Sequence, residues 1–237
     1  MTRQYLAAGI GHPGQYTRIF SGFPLDPFLA ATNDLALRRQ FGIAPDDFVV
    51  GKIARLFKLK GHEDLIGIAP ALIQRCPKVK FLLVGDGEWR QRLERQAESL
   101  GVRNHFVFTG LIPPAEIPCL VGIMDALVHL SLREGLPRAL PQALAGARPV
   151  VAYDCDGAGE VCIPNETGFL VRPGDHVDLS EKLFLLAQDS SLRTRLGTRG
   201  RELVLDNFSV ERMVENIYEL YQKLHSDLKG ATRRPTP

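Results

Sequence analysis

Residues 131–146 read Ser-Leu-Arg-Glu-Gly-Leu-Pro-Arg-Ala-Leu-Pro-Gln-Ala-Leu-Ala-Gly and directly follow the apolar run Ala126-Leu-Val-His-Leu130. The apolar run predicts a buried strand, Arg133-Glu-Gly135 a charged turn, and residues 136–145 a helix bent at Pro141. A helix start beside a glycine presents unpaired N–H groups and a partial positive charge, which suits a phosphate. Glu134 is then expected at the rim of this anion site, with Gln142 two helical turns further along the same face. An ordinary strand-turn-helix without a ligand explains the same pattern.

The rest of the chain alternates short apolar runs with amphipathic stretches. Strands are predicted at 48–54, 79–84, 105–109, 126–130, 149–153 and 168–171. Helices are predicted at 28–41, 62–75, 88–100, 114–123, 136–145, 158–162, 176–188, 190–205 and 209–228. This alternation predicts an α/β fold with a doubly wound parallel sheet, covered by helices on both faces. Because such sheets bind ligands at the carboxyl ends of their strands, those ends are where we look for a site.

Two of these strand ends carry residues that suit a nucleotide. Arg55, Lys58 and Lys60 follow the first strand, ahead of Gly61. Arginine offers a planar fork for two phosphate oxygens and lysine a mobile point charge, although a solvated basic loop has the same composition. After the third strand, Gly110-Leu111 offers backbone groups and little bulk, so a flat base can pack there. Many loops between strands and helices look the same.

Two other motifs are interpreted as structural. Gly9-Ile-Gly11-His-Pro-Gly14 has the spelling of a dinucleotide-binding loop, but no strand precedes it and Pro13 falls where that loop needs a donor. Asp154-Cys-Asp156 resembles a cation-binding pair, but the following Gly-Ala-Gly-Glu160 is more typical of a helix cap. The histidines are scattered and form no ligand pattern, so no metal site is predicted.

The composition is that of a soluble globular protein. Of 237 residues, 45% are hydrophobic and 24% charged, and the formal net charge is +2, which gives no electrostatic case for binding nucleic acid. The four cysteines show no CxxC pair, which favours reduced thiols and a cytoplasmic location. Residues 1–20 lack the apolar core of a signal peptide.

Several segments in order resemble landmarks of one enzyme family. They are Ile19-Phe-Ser-Gly-Phe-Pro-Leu-Asp-Pro-Phe28, Gly51-Lys-Ile-Ala-Arg-Leu-Phe-Lys-Leu-Lys-Gly61, Phe81-Leu-Leu-Val-Gly-Asp-Gly87, Phe108-Thr-Gly110, Asn165-Glu-Thr-Gly-Phe-Leu-Val-Arg-Pro-Gly-Asp175 and Phe208-Ser-Val-Glu-Arg212. Together they resemble the donor-binding, C-terminal half of a retaining GT-B glycosyltransferase of family 4, and the resemblance covers nearly the whole chain from Tyr16 onward. It implies a single Rossmann-like GT-B half.

The resemblance also implies roles for individual residues. Arg55 and Lys60 would bind the diphosphate of a nucleotide-sugar, Glu134 would contact the donor sugar, and these three would carry the catalysis. The remaining donor-binding residues would be Gly110, Leu111, Gly135, Leu136 and Gln142. The last stands where the family has a second glutamate; its amide can still bond a ribose hydroxyl, but without charge. The nucleotide-sugar is a substrate, and no cofactor or metal is implied.

The resemblance predicts a division of the chain and a missing part. Residues 1–20 would be a leader or remnant, 21–205 the nucleotide-sugar-binding domain, 206–228 a C-terminal helix and 229–237 a disordered tail. A GT-B enzyme has a further N-terminal domain that holds the acceptor and that can attach peripherally to a membrane. The acceptor of this chain is unknown. The chain is therefore interpreted as a truncated half, or alternatively as a non-catalytic donor-binding subunit of a split glycosyltransferase that needs a partner chain. A sugar epimerase of GT-B build is a third interpretation.

Overall fold

Six parallel strands form a sheet in the computed structural model, which describes residues 2–231. The strands are β1 (Phe48–Ile53), β2 (Val79–Val84), β3 (Phe106–Phe108), β4 (Ala126–His129), β5 (Val150–Tyr153) and β6 (Gly168–Val171). Their order in the sheet is β3-β2-β1-β4-β5-β6. The direction of chain progression therefore reverses between β1 and β4, and such a reversal is where ligands bind in open α/β sheets.

The described residues contain ten α-helices. They are α1 (Thr2–Ala7), α2 (Asp26–Leu29), α3 (Leu35–Gln40), α4 (His62–Arg75), α5 (Arg90–Ser99), α6 (Ile117–Gly122), α7 (Ala139–Ala145), α8 (His176–Gln188), α9 (Ser190–Asn207) and α10 (Val210–Ala231). Helix α4 packs against α5 and α8, while α2 packs against α6 and α7. These two groups are what a sheet covered on both faces requires. The predicted α/β fold with a doubly wound parallel sheet is confirmed.

The core lies within residues 26–203, which form one of two units of the chain. The strands are buried along nearly their whole length, as the apolar runs predicted. A representative part of the core is Val50, Leu65, Phe81, Val128 and Leu183, each at most 1% exposed.

The second unit comprises the residues up to 25 and those from 204 onward. The rings of Phe20 and Phe208 stack with centroids 4.5 Å apart, and the Phe23 N–H donates to the Phe208 carbonyl at 3.1 Å. The approach at Gly22 is so close that a Cβ there would overlap the Ser209 carbonyl oxygen. The predicted boundaries after residues 20 and 205 stay predictions. Helix α10 continues to Ala231, beyond its predicted end at 228. Residues 232–237 of the predicted disordered tail lie outside the described residues.

Two predicted helices differ from those observed. The helix predicted at 28–41 is interrupted between α2 and α3, where the Asp34 carboxylate accepts N–H groups of Ala36 and Leu37 and starts a new helix. The helix predicted from 136 begins only at Ala139. Pro141 therefore lies in the first turn of α7, where no N–H is needed, and the predicted bend at this residue was wrong.

The predicted short helix at 158–162 is a 3₁₀ turn over Ala158–Glu160. In the part of the chain that the structure describes, no helix is both long and apolar enough to cross a membrane.

Candidate functional site at the sheet reversal

The loop after β1 is held firmly at its centre. Leu56 is fully buried, its N–H donates to the Asp86 carbonyl at 3.0 Å, and its own carbonyl accepts the Trp89 N–H at 3.1 Å. Arg55 stays exposed beside this anchor, with its guanidinium carbon 5.6 Å from the centre of the Phe57 ring. The loop thus presents an arginine to solvent from a fixed backbone.

The same loop bonds directly to the segment that follows β4. The Leu59 carbonyl accepts the Leu132 N–H at 2.9 Å, and Leu59 adopts a left-handed backbone with φ 67°. Gly61 also has φ 67°, and a Cβ there would overlap the Leu130 carbonyl oxygen. Only glycine therefore lets the two loops come this close.

The turn around Glu134 is fixed by the loop after β5. The Asp156 carboxylate accepts the Glu134 N–H at 2.8 Å, and Asp156 itself has φ 47°. A Cβ on Gly157 would overlap the Gly135 carbonyl oxygen. These contacts hold residues 133–136 in an irregular turn, which explains why α7 starts later than predicted. Within the described residues no group of three or more His, Cys, Asp or Glu is placed to hold a metal ion.

An ion pair joins the two loops across the sheet reversal. Lys60 Nζ lies 2.9 Å from Glu134 Oε2, and the two side chains are 21% and 33% exposed. His129 Nε2, at the end of β4, lies 3.4 Å from the same oxygen. The contact from His129 and then that from Lys60 lower the pKa of Glu134 to about 2, against burial, which raises it. Glu134 is therefore a carboxylate at neutral pH.

Behind this pair lies a layer of buried nitrogen-bearing side chains. Lys52 and His62 are each 1% exposed and His129 is 4% exposed. Burial, followed by the nearby charge of Lys60, lowers the pKa of Lys52 to about 7. Burial, followed by the charges of Lys52 and Lys60, lowers the pKa of His62 to about 2. Neither ring nitrogen of His62 has a hydrogen-bond partner among the described residues.

Of the other predicted donor-binding residues, Gly135 and Leu136 directly follow Glu134, and the rest lie on other segments. Gly110 and the 85% exposed Leu111 follow β3, which is separated from β1 by β2. Two strand spacings correspond to ~10 Å, which an extended nucleotide can span. Gln142 lies half-buried on α7, whereas Glu134 precedes that helix. The prediction that these two share a helical face two turns apart was therefore wrong.

Sequence reasoning missed the buried layer. The histidines showed no pattern in the sequence, although His62 and His129 each stand beside a loop of the site. Lys52 gave a usable signal, because a lysine inside the run Phe48-Val-Val-Gly-Lys-Ile-Ala54 contradicts a strand buried on both faces.

The chain is similar to known glycosyltransferases over most of its length. The family model described as "Glycosyl transferases group 1" matches residues 33–203. A GDP-mannose-dependent alpha-(1-6)-phosphatidylinositol monomannoside mannosyltransferase of Mycolicibacterium smegmatis is 31% identical over 215 residues, which is 87% of this chain and 56% of the relative. The capsular polysaccharide biosynthesis glycosyltransferase CapM of Staphylococcus aureus is 28% identical, over 89% of this chain and 55% of the relative. The chain thus spans a little over half the length of these relatives.

Solved structures show the same relationship. The crystal structure of Anabaena Alr3699/HepE in complex with UDP and glucose superposes with a TM-score of 0.83 and 29% identity, over 93% of this chain and 60% of that chain. Sucrose-phosphate synthase from Thermosynechococcus elongatus superposes with a TM-score of 0.81 and 25% identity, over 95% and 57% of the two chains. The fold is a single Rossmann-like half of the GT-B architecture, and the chain belongs to the group 1 glycosyl transferase family.

Proposed function

We propose that this chain is the nucleotide-sugar-binding domain of a retaining glycosyltransferase of family 4. The single observation that carries the proposal is the contact between Lys60 and Glu134 across the sheet reversal, at 2.9 Å. It joins a cationic loop that suits a diphosphate to a carboxylate that suits sugar hydroxyls. The structure of Alr3699/HepE with UDP and glucose supports a nucleotide-sugar as the ligand class.

In the proposed reaction a glycosyl group leaves a nucleoside diphosphate and bonds to an acceptor hydroxyl, with the anomeric configuration kept. The anomeric carbon–oxygen bond to the diphosphate breaks and its electron pair stays on the diphosphate. The acceptor oxygen forms the new bond to the anomeric carbon, and the proton of the acceptor hydroxyl passes to the diphosphate. Arg55 and Lys60 would stabilise that developing charge without a metal, with help from the Gly135 and Leu136 amides. Preorganised donors of this kind contribute ~3 kcal/mol each to the stabilisation of a transition state.

The rest of the donor would be bound by Glu134, Gln142, Gly110 and Leu111. The Glu134 carboxylate would accept hydrogen bonds from the sugar, and Gln142 would bond the ribose. Gly110 and Leu111 would pack against the base. The same proposal includes a separate domain or subunit that binds the acceptor. It also includes a cytoplasmic location for the chain.

Calorimetric titration of the 237-residue chain with UDP-glucose and GDP-mannose tests the proposal. We expect one of them to bind, and Arg55→Ala to weaken that binding about 10–100-fold, because a hydrogen bond to a charged group contributes ~1.5–3 kcal/mol. The matched control is Lys58→Ala, which removes an exposed cation three residues away in the same loop and should change the affinity less than twofold. Equal losses in both variants would indicate a solvated basic loop without a defined site.

A further inference from the structure

The Glu134 carboxylate is held at one oxygen only. Lys60 Nζ at 2.9 Å and His129 Nε2 at 3.4 Å both approach Oε2. The backbone of Glu134 is fixed separately, through its N–H bond to Asp156. Among the described residues no side chain bonds the other carboxylate oxygen, Oε1. The arrangement thus leaves one oxygen of a fixed carboxylate open to a ligand.

A bound nucleotide-sugar would affect the two groups that contact this oxygen differently. Lys60 is an ammonium group on a flexible stem, and in the proposed function it turns toward the diphosphate when the donor arrives. His129 is 4% exposed at the end of β4, where the strand and its neighbours fix the ring. Once Lys60 is shared with phosphate, His129 is the remaining side chain that restrains Glu134.

The surroundings of His129 favour an uncharged ring, whose Nε2 lies 3.4 Å from Glu134 Oε2. Its Nδ1 is buried and has no hydrogen-bond partner within residues 2–231. Burial lowers the pKa of His129, and the charges of Lys52 and Lys60 act in the same direction, while Glu134 opposes them. A neutral N–H donor next to a carboxylate leaves the single negative charge of Glu134 available to the sugar.

We propose that His129 is a positioning residue that holds Glu134 Oε2 so that Oε1 meets the hydroxyls of the donor sugar, which makes the site prefer a nucleotide-sugar over the free nucleoside diphosphate. The inference rests on the proposed function. Its physical basis is preorganisation: a free glutamate side chain loses rotamer entropy when a ligand fixes it, and His129 removes part of that cost in advance.

Calorimetry on the 237-residue chain with UDP and UDP-glucose, and with GDP and GDP-mannose, tests the specificity role. We expect His129→Leu to weaken binding of the preferred nucleotide-sugar about 3–10-fold, the range of one net hydrogen bond, and to leave the free nucleotide within twofold. His129→Gln keeps a side-chain N–H and should recover part of the loss. An equal loss for sugar-bearing and sugar-free ligands would overturn the proposal, because it would indicate a structural role.

A double-mutant cycle with Glu134→Ala, which removes the carboxylate and leaves no oxygen for His129 to contact, separates positioning from packing. If His129 acts through the Glu134 carboxylate, His129→Leu should cause no further loss of nucleotide-sugar affinity in the Glu134→Ala background. The same 3–10-fold loss in both backgrounds would contradict this coupling.

A measurement without ligand tests the contact between His129 and Glu134 independently of the proposed function. A ¹³C NMR titration of Glu134 should show its pKa rising when His129 is replaced by leucine, and an unchanged pKa would overturn the positioning contact. Should the wild-type chain bind neither nucleotide-sugar while the NMR difference persists, the proposed function fails together with the specificity role, and only the contact between the two side chains stands.

Discussion

The two ends of the sheet bury charged side chains in opposite ways. At the amino ends of the strands, Arg38 is 2% exposed and lies 3.1 Å from Asp125 Oδ2. Both terminal nitrogens of Arg38 also donate to backbone carbonyls, and only its Nε has no partner among the described residues. The carbonyls are those of Ala44, Pro45, Asp47 and Ile123. Asp125 Oδ2 in turn accepts the Val49 N–H at 2.8 Å.

At the carboxyl ends, several buried nitrogens have no partner in the described part of the chain. Both nitrogens of His62 and one of His129 have no partner among the described residues. Burial lowers the pKa of Lys52 toward neutrality. Buried polar groups are normally hydrogen-bonded, so unpaired ones are unfavourable for stability and are found at functional sites. We therefore expect the amino end to contribute more to the stability of the fold than the carboxyl end.

The largest expected effect is at the amino end. Arg38→Met should lower the free energy of unfolding by about 3–5 kcal/mol, because it leaves the partly buried Asp125 charge and four backbone carbonyls without their donor. Urea unfolding measures this, with Arg39→Met, the exposed neighbour, as the matched control. A loss below ~1 kcal/mol would mean that this end is not the stabilising one.

At the carboxyl end the corresponding change should have the opposite sign. Lys52→Met should raise the free energy of unfolding at pH 7 by about 1–4 kcal/mol, because a poorly compensated buried cation is replaced by an apolar side chain of similar shape. Between pH 7 and the ordinary pKa of 10.5, the unfolded wild-type chain binds the additional proton, so its stability rises with pH. The variant should lack that rise. If Lys52→Met lowered the free energy of unfolding instead, Lys52 would stabilise the fold as Arg38 does.

The acid side of the stability profile tests His62. Its pKa is about 2 in the folded chain and 6.5 ordinarily, so between these values the unfolded state binds the extra proton and stability falls as pH falls. His62→Leu should make that fall shallower by up to about 1.4 kcal/mol per pH unit. Urea unfolding at pH 5 and pH 6 measures the slope.

The control for this slope is Leu65→Ala on the same helix. It creates a cavity and should lower stability equally at both pH values. An unchanged slope in His62→Leu would show that this histidine has a hydrogen-bond partner in solution.

The smallest expected effect concerns a bonded network at the carboxyl end. The Tyr153 hydroxyl donates to Asp64 Oδ2 at 2.8 Å, and His176 Nε2 lies 3.1 Å from Asp64 Oδ1. Because His176 still holds Asp64, Tyr153→Phe should lower stability by only about 0.5–1.5 kcal/mol. Thermal unfolding measures this against Tyr221→Phe, an exposed tyrosine on α10. A loss as large as that of Arg38→Met would remove the contrast between the two ends.

Much of the architecture could be predicted from local pattern. The helix at 62–75 and the strands at 79–84 and 168–171 have their predicted bounds, because apolar runs and helical periodicity are properties of the local sequence. The start of α7 could not be predicted. It is set by bonds from Leu59 and Asp156 to the turn around Glu134, and these partners are distant in sequence.

The site was predictable in its charged residues and not in its buried ones. Arg55, Lys60 and Glu134 stand directly after strands that proved to be neighbours, so the rule for strand ends located them. Whether the histidines are paired or unpaired depends on burial and distance, which periodicity does not report. Their roles toward a ligand stay predictions.

The most direct test of the account is a crystal structure of the chain grown with the nucleotide-sugar that it binds. The account predicts the diphosphate beside Arg55 and Lys60 Nζ, and a sugar hydroxyl within hydrogen-bond distance of Glu134 Oε1. A nucleotide bound instead in the cleft at the amino ends of the strands, lined by Arg38, Asp47 and Arg193, would contradict it.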